Sequence, residues 1–125
     1  MAERRYFLDA NICIYLLEGS SDALLKKVGS VAADDLVISA IVQAEVALGL
    51  ALTGQGDLAE RFFDKFAILP FDSEAAKAYA RLPFRRASFD RLIAAHALSC
   101  GAILITNNER DFADIAGLET ENWTR

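Results

Sequence analysis

Four of the eighteen acidic residues in this chain fall where a carboxylate is costly. Asp9 ends a short apolar run, Tyr6-Phe7-Leu8, and an apolar stretch of helical length begins at Asn11. Glu45 is the only strongly charged residue from Ile38 to Leu52, "ISAIVQAEVALGLAL". Asp90 lies in the first turn of a helix that Ser88 is placed to cap, and Asp111 follows an apolar strand in "TNNERDF". A buried, unpaired carboxylate costs several kcal/mol at least. Each acid has an ordinary structural explanation. Asp9 can cap a turn, and Glu45 can neutralise a distant arginine. Asp90 can complement a helix dipole, and Asp111 can cap a short helix, a task open to Glu109 as well. Gathered in one dry cleft, however, four carboxylates cannot all stay ionised unless a cation joins them. The chain has no Cys or His cluster for zinc, and His96 is its only histidine. Hard oxygen donors suit Mg²⁺ or Mn²⁺, as one or two ions. Carboxylates around such ions, without a protein nucleophile, suit hydrolysis of a phosphodiester. The ions lower the pKa of a water and neutralise phosphate oxygens during in-line attack.

The acids act together only if the fold gathers them. The apolar pattern predicts strands near 5–8, 36–39, 67–70 and 102–106, with a last edge strand near 119–122. Helices are predicted near 11–18, 21–31, 40–52, 57–66, 73–81 and 88–100, with a short helical turn over 109–115. Gly19-Ser20, Asp34-Asp35 and residues 53–56 are breaks, Pro70 stops the third strand, and Asp72 or Ser73 caps the helix behind it. Strands alternating with helices imply a mostly parallel sheet covered on both faces, with ligands beyond the carboxyl ends of the strands. Asp9 closes the first strand there. Glu45 lies about one and a half turns below the same rim. The helix bearing Asp90 runs antiparallel to the strand that Asp111 follows, so both lie at that edge. Gly49, one turn past Glu45, leaves room for another element to approach closely.

A chain of 125 residues fits one domain, residues 1–125, with a real core. No apolar run reaches the roughly 18 residues of a membrane span. The start, Met1-Ala2-Glu3-Arg4-Arg5, has no signal-peptide core, which places the protein in the cytoplasm. Cys13 and Cys100 lie in apolar helical stretches and read as reduced core residues. The net charge of −5 argues against a nucleic-acid partner, but Arg81 to Arg91 holds four arginines and one acid. Such a stripe can face phosphates while the remaining surface is acidic, or can be plain solvated charge. His96, six residues past Asp90, does not face it and reads as structural. Phe62, Phe63 and Phe66, with Leu58, Ile12, Leu16 and Leu17, read as core or in part as a partner groove.

"FLDAN", "QAEVALGL", "FDRLIAAHAL" and "AILITNNERDF" follow the order and spacing of PIN-domain ribonucleases, and the chain resembles the VapC toxins of bacterial type II toxin–antitoxin pairs. The closing "IAGLETENW" is also similar, so the resemblance spans essentially the whole chain. It implies a PIN-like fold, a three-layer α/β/α sandwich around the sheet. It implies a Mg²⁺- or Mn²⁺-dependent endoribonuclease that arrests translation. The catalytic residues would be Asp9, Glu45, Asp90 and Asp111, with Asp9, Asp90 and Asp111 on the metal. Thr106 and Asn107 match small polar residues that orient the water. From the residues alone, Arg85, Arg86 and Arg91 are the candidates for RNA contacts, with plain surface charge as the alternative. The resemblance also implies a homodimer and a VapB-like antitoxin whose C-terminal tail blocks the site. Two departures stand out. Ala10 replaces a common Thr or Ser, and "LPFRRAS" before Asp90 is shorter than in many relatives. Trp123 reads as an anchor for the tail, with RNA stacking as the other use. The competing reading is a catalytically silent PIN-like module that binds RNA or protein. A phosphotransfer domain is a third, but Asn11 and Thr106 stand where its second Asp or its Lys would be needed.

Overall fold

Continuous apolar runs become central strands here because both of their faces can be buried. In the computed structural model, which describes residues 4–125, Tyr6–Leu8 forms β1, Leu36–Ser39 β2, Ala67–Leu69 β3, Ile103–Ile105 β4 and Glu119–Glu121 β5. Met1–Glu3, at which the sequence shows no signal-peptide core, lie outside the described residues. The strands pair in the order β3-β2-β1-β4-β5, and every pair is parallel, where the sequence pattern predicts a mostly parallel sheet. The helices that flank it are α1 (Ala10–Glu18), α2 (Asp22–Ser30), α3 (Ala40–Leu52), α4 (Gly56–Phe63), α5 (Ser73–Ala80) and α6 (Phe89–Ser99).

Most helix starts are set by a side-chain cap. Asp9, Ser21, Ser39, Asp72 and Ser88 each accept a hydrogen bond from a backbone N–H two or three residues on. Asp72, not Ser73, therefore caps α5. Gly19 ends α1 with φ 64°, a left-handed conformation that favours glycine. Several elements lose a residue or two at their ends, and two fall further short of their patterns. α4 stops at Phe63, because residues 64–66 turn into β3, and the stretch 109–115 holds only a 3₁₀ turn, Glu109–Phe112.

The core centres on Phe7, Leu8, Ile38, Leu104 and Ile105 of the sheet, under Ile12, Val42 and Ile93 of the helices. Phe62 and Phe63 join it, with ring centroids 5.1 Å apart, whereas Phe66, Leu16 and Leu17 are half-buried. Both cysteines are free thiols. Cys13 is buried as expected, but Cys100 is exposed, since α6 ends one residue before it. Trp123 is 4% exposed and packs on Tyr6 at 5.0 Å, so the ring anchors the tail and offers no face for stacking. A side-chain carbon at Gly49 would meet nothing within 4 Å, so no element among the described residues uses the room beside it. Among the described residues no helix is long and apolar enough to cross a membrane.

Topology fixes where a ligand can go. The chain leaves β1 toward β2 and β3, then returns to β4 and β5 on the other side of β1. The strand order thus reverses between β1 and β4, and the crevice beyond their carboxyl ends is the favoured site. Leu8 lies opposite Ile105, so Asp9 and Thr106 emerge side by side at that crevice.

Candidate metal centre

Asp9 is held by backbone at two points. Its N–H donates to the Ile105 carbonyl at 3.1 Å, and its Oδ1 accepts from the Ile12 N–H at 2.9 Å. The helix cap and the acid at the strand end are therefore one residue serving both purposes. Asp9 is only 5% exposed. Burial pushes its carboxyl above the usual carboxylate range and the Asp90 charge adds to the rise, while the Thr106 hydroxyl and the Ile12 N–H oppose it. Thr106 is fully buried, and its Oγ1 also accepts from the Asn108 N–H at 3.1 Å. Asn107 donates from Nδ2 to the Tyr15 hydroxyl at 2.9 Å, and its buried Oδ1 has no protein partner.

Glu45 is half-buried on α3, and its Oε1 is buried without a hydrogen-bond partner. No ion pair among the described residues involves it, so the distant arginine that could have neutralised it is not there. Burial raises the Glu45 pKa, and the charges of Asp90 and Asp9 raise it further. Asp90 follows the capped start of α6; burial and the charge of Asp111 hold its carboxyl high as well. Asp111 Oδ2 accepts from Asn108 Nδ2 at 2.6 Å. Glu109 turns elsewhere: its carboxylate takes Thr120 Oγ1 at 3.3 Å and Arg125 Nη2 at 3.1 Å. Of the two candidates in that segment, Asp111 is the one coupled to Asp90.

Asp9, Glu45, Asp90 and Asp111 fall in one region: the charge of Asp90 acts on Asp9 and Glu45, and that of Asp111 on Asp90. Glu45 and Asp90 line a cleft of about 590 Å³ with Tyr79 and Phe89. Asp90 and Asp111 line a smaller one of about 250 Å³ with Arg85 and Arg86. Asp90 thus lies between the acidic crevice and the basic arm over residues 81–88. Among the described residues no three acids, histidines or cysteines are already drawn in around one point. The donor set still fits a divalent cation. Asp9, Asp90 and Asp111 offer only oxygen, as a hard divalent cation prefers; the charge of Asp90 raises the proton affinity of Asp9, and that of Asp111 raises the proton affinity of Asp90.

The three arginines fare differently. Arg91 is 6% exposed, and its guanidinium is taken by Asp114 and the Pro83 carbonyl. Arg85 is half-exposed and also pairs with Asp114, at 3.2 Å. Arg86 is exposed. His96 is buried, with Nδ1 2.8 Å from Ser39 Oγ and its ring edge-on to Phe7 and Phe71. Burial lowers its pKa, which keeps it neutral. Sequence reasoning passed over Asp114 and Tyr15. The only signal for Asp114 was an unpartnered arginine beside Asp90 and an extra acid three residues past Asp111.

Glu45 gives a pH-dependent prediction. Its folded pKa lies above its unfolded one, so the ionised carboxylate is a cost at neutral pH that fades as pH falls toward the unfolded value. Glu45→Gln carries no such cost. Without metal it should melt a few degrees above the wild type at neutral pH, and the difference should vanish in acid. His96 is common to both proteins and cancels. Paired thermal melts across pH check this.

The sequence matches the PIN domain family over residues 6–118. It is 28% identical to the tRNA(fMet)-specific endonuclease VapC of Shigella flexneri, an alignment covering 96% of this chain and 98% of that protein. It is 30% identical to the ribonuclease VapC1 of Haemophilus influenzae strain R2866, again over 96% and 98%. Among solved structures it superposes on VapBC2 of Rickettsia felis bound to a promoter DNA fragment, with a TM-score of 0.82 at 28% identity, covering 94% of this chain and 98% of that one. Against DNA-bound VapBC of Salmonella typhimurium the TM-score is 0.84 at 26% identity, covering 97% and 99%.

Proposed function

Because the chain belongs to the PIN domain family, in its VapC branch, we propose that it is a Mg²⁺- or Mn²⁺-dependent endoribonuclease. In this reading it is the toxin of a toxin–antitoxin pair, acting in the cytoplasm to inhibit translation. The observation that carries the chemistry is the set of four acids from four distant segments, with Asp90 lining one cleft with Glu45 and another with Asp111, and a buried Glu45 oxygen left unpaired.

Asp9, Asp90 and Asp111 would hold one or two divalent ions. Bound there, the cation supplies Lewis-acid charge for the phosphate oxygens and for an attacking water. The protein's own residues do the rest. The backbone holds Asp9 in one orientation, and the Thr106 hydroxyl favours its ionised form. Glu45, whose proton affinity burial and the charges of Asp90 and Asp9 raise, would take the proton of the attacking water on a carboxylate oxygen. Asn107, fixed by Tyr15, presents its free Oδ1 to orient that water. Arg86, with Arg85 beside it, is placed to meet RNA phosphates. Arg91, already committed to Asp114, serves the scaffold instead.

The same reading includes a homodimer and a VapB-like antitoxin. Leu48, Leu52 and Phe84 are 62%, 78% and 98% exposed, so apolar surface for such contacts is present.

Expression in a bacterial host without a partner should arrest growth. A folded Asp9→Asn/Asp90→Asn double variant should not, and equal arrest by both would overturn the reading. Within the acidic segment, Asp111→Asn should slow RNA cleavage roughly tenfold or more, the scale of about 1.4 kcal/mol. Glu109→Gln should leave it unchanged, since that carboxylate faces Thr120 and Arg125. Cleavage rates on labelled RNA separate the two.

A further inference from the structure

Asp114 ties three segments together. Its carboxylate takes the Arg91 guanidinium through two hydrogen bonds, Nη1 to Oδ1 at 3.0 Å and Nη2 to Oδ2 at 3.1 Å. Arg85 Nη1 donates to the same Oδ1 at 3.2 Å. The arginines reach further. Arg91 Nη2 also donates to the Pro83 carbonyl at 3.1 Å, and Arg85 Nη1 lies 3.5 Å from the Asp111 carbonyl. A bidentate arginine–carboxylate pair fixes direction as well as distance, and here the Arg91 side chain is buried. The arm over 82–88, the first turn of α6 and the segment 109–114 therefore meet at one point. Asp90 is the residue before Arg91, and Asp111 lies three residues before Asp114. Both acids line the same small cleft as Arg85 and Arg91.

We propose that Asp114 is a positioning residue of the acidic site: by clamping Arg91 and Arg85 it holds Asp90 and Asp111 on the one cleft where a divalent cation would bind. The proposal rests on the metal-dependent reading above. Asp90 and Asp111 stand on separate elements, so the clamp is what ties their segments to one another. The clamp joins Arg91, next to Asp90, and Arg85 to Asp114, three residues past Asp111, and none of its hydrogen bonds goes to the Asp90 or Asp111 carboxylate. It thus acts through the backbone, as outer partners of metal ligands do.

The test is calorimetric titration of Mn²⁺ into the RNA-free full chain, with thermal melts and cleavage of labelled RNA alongside. Asp114→Asn keeps the shape and removes the charge; Arg91→Lys keeps the charge and removes the fork. Each should bind Mn²⁺ about 10- to 100-fold more weakly than wild type, below its melting temperature. The Mn²⁺ concentration for half-maximal cleavage should rise in the same ratio, and saturating Mn²⁺ should restore the rate. A purely structural pair would lower the melting temperature without moving either metal readout. Should both variants fail to fold, Arg85→Gln decides, since it cuts only the exposed limb of the clamp. Wild-type Mn²⁺ affinity in the folded variants overturns the proposal. A wild-type chain that binds no Mn²⁺ contradicts the metal-dependent reading itself, so the two failures are distinct.

Discussion

The Asp9→Asn protein is expected to fold, to melt no lower than wild type in metal-free buffer at neutral pH, and to cleave RNA on the order of a thousandfold more slowly. The two halves of that result have different causes. Asparagine caps helices as well as aspartate does, so its Oδ1 can still accept from the Ile12 N–H and start α1. The backbone bond from residue 9 to the Ile105 carbonyl does not involve the side chain. The buried charge is what disappears. Burial raises the Asp9 pKa above its unfolded value, so the ionised carboxylate costs stability above the folded pKa and nothing in acid. The variant should therefore match or exceed wild type at neutral pH and converge with it as pH falls. In the proposed reading catalysis would lose a ligand charge, and several kcal/mol of transition-state stabilisation corresponds to about three powers of ten in rate. Melting curves across pH and single-turnover cleavage measure the two halves separately. A variant that cleaves normally would remove Asp9 from the site.

Trp123→Ala should cost about 3–5 kcal/mol of stability while leaving the chemistry intact. The ring is nearly fully buried, tilts against Tyr6 at 5.0 Å, and lies beneath Lys27 Nζ at 5.8 Å. Its Nε1 donates to Glu121 Oε1 at 2.8 Å, and the Glu121 carbonyl in turn accepts from the Thr106 N–H at 3.0 Å. Removing the indole opens a cavity at the open edge of the sheet and frees β5. Urea unfolding should show the loss, and cleavage well below the melting temperature should keep its KM for RNA. A raised KM at unchanged stability would instead make the indole a stacking surface.

The fold was legible because its signals are local. The runs 6–8, 36–39 and 102–106 are apolar without alternation, and only a strand covered on both faces tolerates that. Ser88 and Asp72 announce their helices through the geometry of a cap. The positions of the four acids followed from the parallel topology, since each could be referred to one edge of the sheet. Long-range pairing was not legible. Nothing near Arg91 in sequence shows that its partner is Asp114, 23 residues away, and the residue reads as free positive charge. Gly49 invites an approach that no element among the described residues makes. Cys100 lies past the last helical residue, a boundary that apolar composition alone does not locate.

The most direct test is cleavage of labelled RNA in H₂¹⁸O with Mn²⁺ or Mg²⁺, followed by chelation. The expected result is chelator-reversible cleavage, lost in Asp90→Asn, with linear phosphate ends that each carry one solvent oxygen. Cleavage that persists in chelator, or leaves 2′,3′-cyclic phosphate ends, would contradict hydrolysis at a carboxylate-held divalent ion.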